Sequence, residues 1–342
     1  MEIDKVKIKV FILIGIFLSG IFLFGADDAP KRKLLIVGFS VIGEAIEKEI
    51  VPAFVKKWKN EHNGEQIEFQ YSWGASTAQA RNVIAGLEAD VVFLSLWPDV
   101  DLIQKAGLIT HEWNADKKGI VSKSVVVFRV LENNPLQIKD WSDLVKDGVK
   151  VLTPNPLTSG GARWNILALY GAILKHGQTS EEAEQILRAL YRNVVTFAEN
   201  ARASIQDFER GMADVVITYE NEVLFLKKQG KSVEYVIPPS TIYIENPAAV
   251  VDLYADKHGT KDVALAFIDY LKSVESQKIF SEWGFRSILD DILNEKRQQY
   301  PVLPEAFDIE YIGGWPKVQE DFFGTQGLWA KIVQTERGAR GH

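Results

Sequence analysis

The 342-residue chain contains no cysteine. That excludes disulfides, thiol catalysis, zinc–thiolate sites and iron–sulfur clusters. A chain of this length buries enough apolar surface to fold without covalent staples. Histidine is scarce as well. His62, His111, His176, His258 and His342 are scattered, and none falls in an HExxH or other ligand spacing. They read as solvated or capping residues, and no metal or other cofactor is expected. A basic face is missing too. The net charge is −7, and no stripe of Lys and Arg with interleaved aromatics is present, so no nucleic-acid partner is expected. There is no internal repeat, no low-complexity tract and no Gly/Ser- or Pro-rich linker.

Long hydrophobic runs are confined to one place. VFILIGIFLSGIFLFGA (10–26) comes directly after MEIDKVKIK, which carries three lysines. This is the charged and apolar arrangement of a secretory signal peptide, residues 1–26, with a cut near Ala26. The run is at the short edge of a membrane span, so an uncleaved anchor is the alternative. Either way the rest of the chain is expected outside the cytoplasm, in the periplasm.

Beyond the leader, short apolar runs alternate with longer helical patterns, and the length suits about two domains. KLLIVGF (33–39), IEFQYSW (67–73) and DVVFLSL (90–96) read as strands. Between them, residues 42–60 form an amphipathic helix with Ile46, Ile50, Phe54 and Trp58 on one face. STAQ (76–79) reads as a capping box, Ser76 bonding the N3 amide while Gln79 reaches back. A second α/β series starts near residue 122. It includes VKVLTP (149–154), a helix over 160–175, a helix over 180–191 opened by Thr179-x-x-Glu182, and DVVIT (214–218). After residue 255 the pattern is mostly helical. The rhythm predicts an α/β fold, mainly parallel sheets flanked by helices, in two units joined by strand-like crossings.

Several of these helices start at turns of small residues: Val41-Ile42-Gly43, Gly74-Ala75-Ser76, Ser159-Gly160-Gly161 and Asn200-Ala201. The first amides of a helix lack intrahelical partners, and the dipole adds partial positive charge there. Such a start accepts an anion, and in open α/β sheets it lies at the carboxyl end of a strand. The turn TPNPLTSGGARWN (153–165) has two adjacent glycines but no phosphate-binding lysine, so it is neither GxGxxG nor GxxxxGK[ST]. Catalytic signals are thin. Ser159 is not in G-x-S-x-G, and no histidine is placed beside it. Glu220 and Glu222 flank Asn221 and point different ways on a helix.

PNPLTSGGARWN, GLEADVVFLSLWPDVDLI (86–103), NPLQIKDWSDLVKDGVKVLTPNP (134–156), FERGMADVVITYENEVL (208–224) and GGWPKVQEDFF (313–323) together resemble the periplasmic sulfate-binding proteins of ABC uptake systems. The similarity runs over nearly the whole mature chain in the same order. The resemblance implies a two-lobed type II binding-protein fold closing on one oxyanion. Lobe one would be residues 33–120 plus 250–342, and lobe two 121–249, with crossings near SKSVVVF and IENPAAV. It implies that the anion is held by neutral donors: the Ser159 hydroxyl and the backbone amides of Gly160, Gly161, Ser76 and Ala201. Two positions depart from the family. Val41 stands where the family has an aspartate that contributes its amide. Tyr219 replaces a tryptophan whose indole donates. The implied function is capture of sulfate or thiosulfate by a monomer and delivery to an ABC permease, without enzymatic activity. Alternatives are another tetrahedral oxyanion (molybdate, phosphate) or a sulfate or phosphate ester hydrolase.

Overall fold

A computed structural model describes residues 31–340; the leader lies outside the described residues. Among the described residues nine strands run in chain order: β1 Arg32–Phe39, β2 Ile67–Gly74, β3 Val91–Phe93, β4 Ile120–Val130, β5 Val151–Pro154, β6 Val194–Ala198, β7 Val215–Tyr219, β8 Glu234–Val236 and β9 Tyr243–Val250. Their lateral order is β2-β1-β3-β9-β4-β7-β5-β6, with β8 on β4. β1 is parallel to β2 and β3, and β5 is parallel to β6 and β7. Every antiparallel pairing involves β4 or β9.

Those two strands are shared between two sheet regions. The first half of β4 pairs with β9 and its second half with β7. β9 pairs with β4 through Tyr243–Pro247 and with β3 through Ala248–Val250. The continuous ribbon explains why no flexible linker appears in the sequence. β4 is buried along almost its whole length, which is why its centre, VVVF (125–128), reads as an apolar run.

The helix expected over 42–60 forms, but in three pieces: Gly43–Ala45, a π-helical turn Ile46–Ile50, and Val51–Glu61. The wide turn immediately precedes Pro52, which has no N–H to donate to the Lys48 carbonyl. Its apolar stripe still works, since Ile46, Ile50, Phe54 and Trp58 are all buried. Phe54 meets the rings of Phe69, Phe267 and Tyr270. The capping box at Thr179 and Glu182 is present in both directions. The one expected at Ser76 is not. Ala75 takes the N-cap position of helix Ser76–Ile84, without a side-chain cap. Ser76 Oγ instead donates to Asp99 Oδ2 at 2.6 Å, and Gln79 Nε2 donates to the Ser72 carbonyl at 2.9 Å.

One ionisable contact carries a pH prediction. His258 ends helix Asp252–His258, with Nδ1 2.9 Å from Asp90 and Nε2 3.1 Å from Glu88. Only imidazolium donates from both ring nitrogens. Partial burial lowers its pKa, but the two carboxylates outweigh this, and the pKa is raised. Its stabilisation is therefore fully present below an unfolded pKa of about 6.5 and is lost as pH rises through the raised folded value. Urea midpoints measured from mildly acid to alkaline pH should fall across this window in the wild type. They should fall less in His258→Gln.

Candidate functional site

Each sequence-predicted residue sits at or just past the carboxyl end of a strand. Val41 follows β1, Ser76 follows β2, Ser159 to Gly161 follow β5, Ala201 follows β6, and Tyr219 ends β7. All seven are buried at their positions. Hydrogen bonds and contacts tie the turns together. Ser40 N–H donates to the Gly74 carbonyl at 2.9 Å, placing the first turn against the second. Ser40 Oγ reaches Asn200 Oδ1 at 3.3 Å, joining Val41's turn to Ala201's. Ala78 N–H donates to the Thr158 carbonyl at 3.2 Å, joining the Ser76 helix to the turn before Ser159. A Cβ built on Gly161 would lie 3.4 Å from Tyr219 Oη and 3.5 Å from Ser159 Oγ. The phenol and the serine hydroxyl therefore flank the double-glycine turn.

Donors are in excess here. Among the described residues, the amides of Val41, Ser76, Gly160, Gly161 and Ala201 donate to no protein acceptor. The Ser159 side chain caps no amide of helix Gly160–Lys175. Asn200, by contrast, caps its own helix through Ala203 N–H at 3.0 Å, which leaves the Ala201 amide available. Five amides of buried residues, four in the first turn of a helix and Val41 in the turn just before one, have no acceptor and suit an anion.

The nearby cations are committed elsewhere. Arg202 gives Nε and Nη2 to Glu222 at 2.9 and 2.8 Å, and Nη1 to Glu44 at 2.7 Å. Burial opposes its charge, but Glu222 and Glu44 outweigh it and raise its pKa. Arg163 donates Nε to the Pro156 carbonyl at 3.0 Å and lies over the Phe323 ring at 4.8 Å. Glu220 pairs with Arg286, so Glu220 and Glu222 each have their own arginine and do not form a carboxylate dyad. No group of three or more His, Asp or Glu placed to hold a metal occurs among the described residues.

Sequence reasoning passed over Ser95 and Asp99. Ser95 N–H donates to Ser76 Oγ at 2.9 Å, its carbonyl accepts from Trp164 Nε1 at 2.9 Å, and its Oγ lies 2.5 Å from Tyr219 Oη. Asp99, fully buried, accepts from Ser76 and Thr77 hydroxyls. Burial pushes its carboxyl up, against Arg163 and those two hydroxyls. The available signal was polarity: a serine inside FLSL and an acid in the first turn of helix Trp97–Lys105 are buried polar groups that need partners.

The family model described as bacterial extracellular solute-binding protein matches residues 40–286. A sulfate-binding protein of Synechococcus elongatus is 43% identical over 317 residues, 92% of this chain and 90% of its own. A thiosulfate-binding protein of Pseudomonas aeruginosa is 36% identical over 321 residues, 92% of this chain and 96% of its own. Among solved structures, the sulfate-binding protein SubI of Mycobacterium tuberculosis H37Rv matches with a TM-score of 0.77 and 34% identity. That match covers 86% of this chain and 100% of the other.

Proposed function

The chain belongs to the bacterial extracellular solute-binding family, among its sulfate- and thiosulfate-binding members, and from that premise we propose that it captures sulfate, or thiosulfate, and delivers it to an ABC permease. The observation that carries this reading is the set of five acceptor-free amides beside the Ser159 hydroxyl, with Arg202 and Arg163 engaged elsewhere. Sulfate is fully deprotonated at neutral pH, so a site of donors alone satisfies it. Monohydrogen phosphate brings a proton that needs an acceptor, and a buried group left unpaired costs about 1–3 kcal/mol.

In this proposal the Ser159 hydroxyl and the amides of Val41, Ser76, Gly160, Gly161 and Ala201 hold the anion, with Tyr219 beside them. Lobe one is 33–120 plus 250–342, lobe two is 121–249, and β4 and β9 carry the crossings. Closure brings Ser40 to Asn200, Ala78 to Thr158, and Ser95 to Tyr219, burying the anion for presentation to the permease. The protein acts as an exported monomer, through the leader, and catalyses no reaction on the anion. Calorimetric titration with sulfate, thiosulfate, molybdate and phosphate tests this. One site per chain, filled most tightly by sulfate or thiosulfate, is expected. Failure to bind any of the four overturns it.

A further inference from the structure

We propose that Trp164 is a positioning residue that sets the size of anion the cradle takes, by holding the double-glycine turn at one distance from the Ser76 turn. This rests on the oxyanion-binding reading above. It concerns which dianion fits, not whether one binds.

Trp164 lies four residues after Gly160 on helix Gly160–Lys175, so the two share a face of that helix. Both meet Ser95. The Trp164 indole donates from Nε1 to the Ser95 carbonyl at 2.9 Å, and Gly160 has no room for a Cβ between itself, Ser95 and Leu96. Two contacts on one face fix the tilt of the helix as well as its distance, and with them the aim of the Gly160 and Gly161 amides. The other end of Ser95 holds the Ser76 turn. Its N–H donates to Ser76 Oγ at 2.9 Å. The main chain of one residue therefore spans the two sets of donors.

This strut is stiff. Trp164 is fully buried, and its ring meets Trp315 edge to face, with centroids 4.9 Å apart. An indole N–H only donates, and the Ser95 carbonyl is its one acceptor among the described residues. On the far side Asp99 pins the Ser76 hydroxyl. A tetrahedral dianion with longer bonds than sulfate has to push the two turns apart, and the Trp164 hydrogen bond lengthens as they separate. Sulfate keeps that bond; a larger dianion gives part of it up.

The test is calorimetric affinity for sulfate and for selenate, which at neutral pH is the same proton-free tetrahedral dianion with longer bonds. Wild type and Trp164→Phe are compared. Phenylalanine keeps a ring beside Trp315 and removes the N–H, while Asn246 Nδ2, at 3.3 Å, keeps the Ser95 carbonyl paired. Sulfate affinity should fall roughly 2- to 10-fold, the net worth of one hydrogen bond, and selenate affinity clearly less, so the sulfate-to-selenate ratio narrows. A residue that only held the fold together would shift both anions alike. A ratio that stays put in Trp164→Phe, with a wild type that prefers sulfate, overturns this proposal alone, as does a wild type that takes selenate as well as sulfate. A wild type that binds neither anion overturns the sulfate reading and this proposal with it. Should Trp164→Phe fail to fold, NMR of the wild type decides. The Trp164 indole proton should resonate upfield in the selenate complex relative to the sulfate complex, because its hydrogen bond is longer there. Identical shifts overturn the proposal.

Discussion

Gly160→Ala should weaken sulfate binding by two orders of magnitude or more, of order 3–6 kcal/mol for two charge-assisted hydrogen bonds. A Cβ at Gly160 would stand 2.8 Å from Leu96 Cγ, 2.8 Å from Ser95 Oγ and 2.9 Å from Ser95 Cβ. A Cβ does not pack that closely without one side moving. Ser95 is the wrong side to move, because Ser76, Trp164 and Tyr219 all hold it. The start of helix Gly160–Lys175 must withdraw instead, and the Gly160 and Gly161 amides go with it. Calorimetry should show the loss. Thermal unfolding without sulfate should change little, since separating the two halves relieves the clash and alanine favours the helix. Gly161→Ala supplies the contrast. Its Cβ would meet Tyr219 at 3.3 and 3.4 Å, a contact that a shift of a few tenths of an ångström relieves. Its effect on affinity should be clearly smaller. Equal losses in the two variants would contradict the steric argument.

Glu220→Ala should cost about 3–5 kcal/mol of folding stability, the penalty for leaving a buried charge without its partner. Glu220 opens helix Glu220–Lys228 and holds Arg286 bidentately, at 2.6 Å through Nε and 2.9 Å through Nη2. Both side chains are almost wholly buried. Burial works against the Arg286 charge, and the Glu220 hydrogen bonds overcome it and raise the pKa. The guanidinium lies over Tyr300, and its backbone bridges to Lys123 of β4. The pair thus fastens the segment after helix Val274–Glu282 to the strand crossing and to the residue next to Tyr219. Denaturant unfolding measures the loss. The double variant Glu220→Leu/Arg286→Met should recover most of it, because no unpaired charge remains. If the double variant is as unstable as Glu220→Ala, the charge argument fails.

Much of the fold was legible because its signals are local. β1, β4 and β7 are apolar runs that end up buried, and the helix over 160–175 begins where Ser159-Gly160-Gly161 says it should. The same holds for the Thr179–Glu182 capping box, a four-residue pattern with no competitor nearby. Ser76–Gln79 has the same spacing and fails. Asp99, 23 positions away, takes the Ser76 proton, and Ser72 of β2 takes the Gln79 amide. A buried acid outbids a local cap, and periodicity carries no record of it. The π-turn had a signal in Pro52, but a single proline reads equally as a helix start.

The candidate site divides the same way. Helix starts that bear free amides show up as small residues after apolar runs, so Gly160, Gly161, Ser76 and Ala201 were visible as turns. Their companions were not. Ser95 meets Tyr219 from 124 positions away, and Arg202 meets Glu44 from 158. Only folding places those partners, and they decide which donors stay free and which charges are neutralised.

The most direct test of the donor-only cradle is the crystal structure of the chain with sulfate. The account predicts one sulfate between the turns. Its oxygens would accept from the amides of Val41, Ser76, Gly160, Gly161 and Ala201 and from the Ser159 hydroxyl, with Arg202 still paired to Glu44 and Glu222. Sulfate held instead by a lysine or arginine side chain, or bound away from these four turns, would contradict it.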